Sequence, residues 1–169
     1  MTIFTVDGPR EVPVYQGNAG RTITDENIQD FWNENTDLAK RRGCYVFGMR
    51  AGKGWTAAYV GKATKSFRQE VFAHHKLTRY QQFLVDYQKG TPVLFFVLLP
   101  IKKGKTNATH IGDLEKFLIQ TGMAANPNLL NIQGTKAADW GINGVLRGGQ
   151  GKPSKAAKDF RKIMKLEAG

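Results

Sequence analysis

An α+β domain is predicted by three features of the sequence. Two short apolar segments, Cys44–Met49 and Ala57–Val60, flank a glycine-containing loop. A seven-residue apolar run covers Val93–Leu99, and helical periodicity occurs before, between and after these segments. At 169 residues, with 41% hydrophobic and 11% aromatic side chains, the chain suits one domain with extensions and holds enough apolar material for a real core.

In chain order, Ile3–Val6 reads as a short strand, followed by a Gly/Pro-punctuated loop through Gly20. Thr24 reads as an N-cap, with Asp25 and Glu26 in the first turn, where the helix dipole favours acids. That helix is expected to run to about Arg42, with Ile28, Phe31, Trp32, Asn35 and Leu38/Ala39 on one face, and to stop at Gly43. The two apolar segments around Arg50–Trp55 form a hairpin. Ser66 caps a helix from Phe67 to about Tyr87, with a break expected near Lys76–Thr78. After the turn Lys89–Pro92, the strand Val93–Ile101 is apolar throughout and therefore central. A third helix spans about Ala108–Met123, and Leu129–Ile132 follows as an extended segment. Glycine-rich stretches then lead to a basic helix opened by Pro153-Ser154 and running to about Leu166.

The chain carries 25 Lys+Arg against 14 Asp+Glu, a formal charge of +11. Residues 1–42 hold 5 basic and 7 acidic side chains, residues 43–132 hold 12 and 4, and residues 133–169 hold 8 and 3. A basic middle and tail behind an acidic first quarter point to a polyanionic partner, with nucleic acid ahead of a membrane surface. The apolar run at Val93–Leu99 is far short of the ~18–20 residues that span a bilayer. The opening MTIFTVDGPREVPV lacks the basic start and apolar stretch of a secretory signal. A single cysteine, Cys44, excludes an intramolecular disulfide framework and a Cys-rich zinc site. A reducing, cytoplasmic setting and no membrane partner are the expectation.

Several side chains carry chemical potential. Gly43-Cys44-Tyr45 opens one hairpin strand and Tyr59-Val60-Gly61 closes the other, with Lys62 directly after. Lys65, Arg68 and His74 add basic groups near the same strand end. Glu115 shares a helical face with Ile111, Leu118 and Ile119, where a carboxylate is costly unless a cation or metal meets it. His75 and His110 lack a second ligand at i+3 or i+4 and read as exposed or helix-end residues. Cys44 reads as a small core residue. Trp32, Trp55 and Trp140 read as core or loop anchors, with Trp55 in the basic hairpin loop the best base-stacking candidate. Lys155, Lys158, Lys162 and Lys165 recur at helical spacing in the tail and suit phosphate contact.

Taken together, residues 43 to about 132 resemble the GIY-YIG nuclease family. The two signatures are Gly43-Cys44-Tyr45 and Tyr59-Val60-Gly61. The segment Phe67–His74 matches the family's first helix, and Leu114–Ile119 with Asn126-Pro127 and Leu129–Asn131 matches its glutamate helix and following asparagine. The resemblance implies a small, mainly antiparallel three-stranded sheet flanked by helices, with 1–42 as an N-terminal extension and 133–169 as a basic C-terminal one. It implies phosphodiester hydrolysis with one divalent metal, commonly Mg2+, held by Glu115, and DNA ahead of RNA as substrate. Tyr45 or Tyr59 would position or deprotonate the attacking water. Lys62 and Arg68 would steady the phosphate, His74 would support the tyrosine or leaving group, and Asn131 would orient the loop. Lys62, Lys65, Arg68, Lys155, Lys158 and Lys162 are the expected nucleic-acid contacts.

One position departs from the family. Its catalytic arginine, three residues after the position of Phe67, is here Glu70, and a gap-free alignment after Gly61 puts Gln69 there instead. Arg68 lies roughly 200° around the helix from Glu70. Three alternatives follow: Lys62 or Arg68 substitutes, Glu70 joins Glu115 as a metal ligand, or the domain binds nucleic acid without cleaving it.

Overall fold

A computed structural model describes residues 1–101, 108–124, 140–146 and 151–166. Its strands are β1 (Thr2–Glu11), β2 (Tyr15–Gly17), β3 (Gly20–Thr22), β4 (Gly43–Ala51), β5 (Gly54–Ala63), β6 (Thr91–Leu98) and β7 (Trp140–Ile142). Its helices are α1 (Asp25–Glu34), α2 (Thr36–Ala39), α3 (Phe67–Glu70), α4 (His74–Asp86), α5 (Thr109–Ala124) and α6 (Lys155–Ile163).

The expected three-stranded antiparallel sheet is corrected to a five-stranded mixed one, ordered β5-β4-β6-β1-β7. β6 is indeed the middle strand. Its residues from Pro92 to Leu98 are all buried, so both faces and both edges need cover. β4 pairs along one edge from Gly43↔Leu98 to Arg50↔Thr91. β1 pairs along the other from Thr5↔Leu98 to Glu11↔Val93, with an irregularity between Asp7 and Arg10. β7 then adds to β1 in parallel, Thr2↔Trp140 to Phe4↔Ile142. The segments expected as extensions therefore supply two strands of the central sheet. Gly8-Pro9 interrupts the apolar alternation of β1 and hid its full ten-residue length. β7 has three residues in a glycine-rich stretch, too few for a period to register.

Helices cover both faces. Val93, Phe95 and Val97 point toward α5 and α6, packing with Ile111, Leu114, Leu118, Phe160 and Ile163. Leu94, Phe96 and Leu98 point the other way, into Phe31, Trp32, Phe67, Tyr80 and Leu84 from α1, α3 and α4. The period-two alternation of one strand thus feeds two cores.

The two expected caps, Thr24 and Ser66, are present, and Ser154 caps the helix expected to open at Pro153-Ser154. Thr24 accepts from Asn27 N–H at 3.2 Å while Asn27 Oδ1 accepts from Thr24 N–H at 3.0 Å. Ser66 accepts from Gln69 N–H, and Ser154 from Ala157 N–H. The helix expected to reach Arg42 instead breaks at Asn35, whose amide donates to Phe31 O at 2.7 Å and accepts from Arg10 Nη1 at 3.1 Å. A buried asparagine with two such partners ends α1 before its apolar stripe runs out. The hairpin strands reach further than expected, leaving a tight turn at Gly52-Lys53. Among the described residues no helix is long and apolar enough to cross a membrane.

Candidate active site

The two signature glycines have different physical reasons. Gly43 sits at φ +148°, and a Cβ there would run into the Val97 carbonyl, so only glycine lets β4 lie against β6 at this point. Gly61 faces Tyr45 across the β4–β5 pair, and a Cβ there would collide with the Tyr45 hydroxyl. The empty side of Gly61 is the seat of that tyrosine.

Alternation along β4 and β5 then sorts the neighbours. Cys44 pairs with Lys62 on the α5 side, where the Cys44 thiol donates to Ile111 O at 3.3 Å and Lys62 Nζ donates to Glu115 Oε2 at 2.8 Å. Tyr45 and Tyr59 lie on the α4 side, ring centres 6.4 Å apart. Glu115 is 19% exposed and Lys62 46%, so the pair opens to solvent at the sheet edge. Ile111 and Leu118 of α5 are buried as expected and Leu114 joins them, whereas Ile119 is 37% exposed, because α5 turns that flank away from the sheet.

The expected single helix from Phe67 is cut into α3 and α4 before His74, not at Lys76–Thr78. Three donors make the cut. Lys76 Nζ donates to Glu70 O and to Glu70 Oε2, each at 2.9 Å. Tyr80 hydroxyl donates to Val71 O at 2.8 Å, and Tyr45 hydroxyl makes a long contact to Glu70 O at 3.5 Å. The carbonyls left open at the end of α3 are satisfied by side chains rather than by another helical turn. Lys76, only 7% exposed in its side chain, also lies 5.4 Å from the centre of the Tyr45 ring.

This packing sets the protonation states. Burial first, and the neighbouring Tyr59 second, push the Tyr45 hydroxyl well above the usual tyrosine range, with Glu70 and Glu115 adding to it. Tyr80 is raised for the same leading reason. Tyr59 is raised by burial, but the Arg79 charge pulls it back while Glu115 and Glu70 push upward. Lys62 is raised by its hydrogen bond to Glu115 and by that residue's charge. Burial raises the Cys44 thiol, so it is a protonated core group.

Tyr45, Tyr59, Lys62 and Glu115 are therefore brought to one end of the hairpin. Arg68 and Lys65 are exposed and make no hydrogen bond or ion pair with the described residues. His74 is exposed at the start of α4, its carbonyl accepting from the Thr78 hydroxyl. Asn131 lies outside the described residues. Lys155, Lys158 and Lys162 are exposed on α6, and Lys162 lies beside the hairpin turn at Lys53 and Trp55. His75 is exposed, and His110 Nδ1 is 3.0 Å from Thr2 Oγ1.

Sequence reasoning missed Lys76, Arg79 and Tyr80. Lys76 and Tyr80 are an i,i+4 pair on the apolar side of α4, and a lysine there signals a buried partner.

For a metal, Glu115 offers its Oε1, which takes no hydrogen bond from the described residues. Among those residues no group of three His, Cys, Asp or Glu side chains is gathered. A lone, partly exposed carboxylate still fits a hard cation that keeps its waters and takes phosphate oxygens. Glu70 is committed to Lys76 and does not join it. No family model, curated protein or solved structure matches the chain.

Proposed function

We propose that the chain hydrolyses phosphodiester bonds in nucleic acid, DNA ahead of RNA, with one divalent cation such as Mg2+ held by Glu115, and that it works in the cytoplasm. One observation carries this reading. Glu115 reaches from α5 to the edge of the sheet, where it meets Lys62 and its charge acts on both hairpin tyrosines from the opposite face. A phosphate at that edge would lie between a carboxylate, a lysine and a partly exposed phenol. The bound cation would neutralise phosphate charge and acidify a water. Lys62 is exposed enough to turn from Glu115 to a phosphate oxygen. Tyr59, with Arg79 nearby, donates to the phosphate or orients the water. Tyr45 stays protonated and holds the α3–α4 junction rather than acting as a base.

A second reading, binding without cleavage, is favoured by one specific contact. Glu70 occupies the place where the resemblance expects a guanidinium, and it is paired with Lys76.

Incubation with supercoiled, linear and branched DNA, and with RNA, under Mg2+, Mn2+ or chelator separates the two. Metal-dependent cutting by the wild type is expected. Glu115→Gln should lower it by about 10²–10³-fold with binding retained, and Tyr59→Phe by a smaller factor. Equal cutting by wild type and Glu115→Gln overturns the assignment. Binding with no cutting under any metal establishes the second reading.

A further inference from the structure

At the far end of β5 from Glu115, a cleft of about 370 Å³ is lined by Lys53, Trp55, Lys162 and Lys165. No carboxylate lines it, and none of the three lysines is in an ion pair among the described residues. Trp55 is fixed from two sides. Its ring packs 5.6 Å from that of Phe95, and Arg50 Cζ lies 5.9 Å from its centre.

The second observation is backbone strain. Lys165 stands at φ +53°, the left-handed position after a helix that glycine ordinarily fills. Leu166 N–H donates to Arg161 O at 2.8 Å, and Leu166 is 2% exposed, so the turn is locked by a buried anchor. The locked turn leaves Lys165 exposed at the cleft. Strain retained at a charged, unpaired residue is a pointer to use.

The cleft and Glu115 lie on one face of the sheet, against the two ends of β5. Trp55 packs with the core on the α5 and α6 side, and Lys62 meets Glu115 on that same side. Trp55 and Lys62 pair with Arg50 and Cys44, six residues apart on β4, so they lie about 20 Å apart along the hairpin. That is about six steps of a nucleic-acid strand at roughly 3.4 Å per phosphate along a duplex axis. β5 is the outer strand of the sheet, and no further strand pairs along its edge among the described residues.

We propose that the cleft of Lys53, Trp55, Lys162 and Lys165 is a nucleic-acid subsite, gripping the phosphodiester chain about six nucleotides from Glu115, with the strand lying along the β5 edge. This rests on the reading of the chain as a nucleic-acid enzyme, and extends it by naming where the substrate is held.

Tryptophan fluorescence titration with labelled-end-free DNA oligonucleotides of 4, 8, 12 and 20 nucleotides, single-stranded and duplex, tests it. Trp32 and Trp140 are 2% and 5% exposed, so quenching reports on Trp55. Quenching is expected, with affinity rising once the oligonucleotide exceeds about six nucleotides. Lys53→Gln with Lys162→Gln should weaken binding at least about tenfold and reduce the salt slope by about 1.4–1.8, as two phosphate contacts require. The charge-matched pair Lys40→Gln with Lys89→Gln should change affinity less than about twofold. Lys165→Gly should keep or raise Tm while weakening binding, a combination that a purely structural lysine does not give. Equal weakening by both charge-matched pairs, or unaltered affinity in Lys165→Gly and the cleft pair, overturns the subsite. Cleft-dependent binding without any cleavage leaves the subsite standing and overturns the hydrolase. Cleavage with unchanged KM in the cleft variants does the reverse. No binding at any length overturns both.

Discussion

Near the Ala63 end of β5 two cations are held by carboxylates, Lys62 2.8 Å from Glu115 and Lys76 2.9 Å from Glu70, while Lys65 and Arg68 stay exposed. At the Gly54 end, Lys53, Lys162 and Lys165 surround Trp55, and among the described residues no carboxylate lines their cleft. The pairing follows from burial. Lys76 sits under the tyrosine cluster, where an unpaired charge is costly, while the cleft lysines keep their water and tolerate one another. The difference teaches that like residues on one strand are held for different ends. Paired cations shape a site, and unpaired ones remain available to a polyanion.

Breaking the paired end should have the largest effect on stability. Lys76→Met removes a nearly buried ammonium, leaves the Glu70 carboxylate unpaired and takes a donor from the Glu70 carbonyl at the end of α3. A loss of about 2–3 kcal/mol is expected, below the full cost of splitting a buried pair because Glu70 is partly exposed. Urea unfolding measures it, and a change under 0.5 kcal/mol, roughly the scatter of surface substitutions, would place Lys76 with the cleft lysines.

Alkali should probe the same end more gently. Tyr45 and Tyr80 are raised in the folded protein, so the folded state holds their protons more tightly than the unfolded chain does. Their contribution is complete below the unfolded tyrosine value of about 10 and falls as pH rises through the folded values. Thermal unfolding should therefore be insensitive to these groups up to about pH 9.5 and decline above about pH 10. Tyr45→Phe should decline less steeply, by up to about 1.4 kcal/mol per pH unit. Identical alkaline slopes for the two proteins would remove the buried phenol from the account.

The smallest effect belongs to the unpaired end. Lys53→Gln should alter stability by no more than about 0.5 kcal/mol, because an exposed lysine with no partner stabilises nothing directly. A larger loss in urea unfolding would show that the cleft is held together by a contact of its own.

The candidate site was partly legible before any fold was known. The two signatures, Tyr59 with Gly61 and Glu115 on its apolar helix, are local patterns; the structure packs the tyrosines on the α4 side of the hairpin and sets Glu115 against Lys62 on the α5 side. Arg68 and His74 were chosen by the same patterns and stand exposed, because the break between α3 and α4 redirects the chain just there. That break depends on Lys76, Tyr80 and Tyr45 supplying donors from other elements, which no window around Phe67 contains.

By itself, the sequence determined the elements whose causes lie within a few residues. These are the caps at Thr24 and Ser66, the helix start at Pro153-Ser154, the hairpin of Cys44–Met49 with Ala57–Val60, and an apolar β6 that could only be central. Tertiary structure alone decided that β1 and β7 complete a five-stranded sheet, that Lys62 meets Glu115, and that Lys165 comes beside Lys53. Short-range choices follow from backbone propensity and period, which any window displays. Pairings between distant segments are selected by which surfaces remain to be buried once those elements exist. β6 is buried on both faces, so the backbone N–H and C=O groups on its two edges must be paired, and ten residues of broken alternation at the N-terminus suffice for one of them.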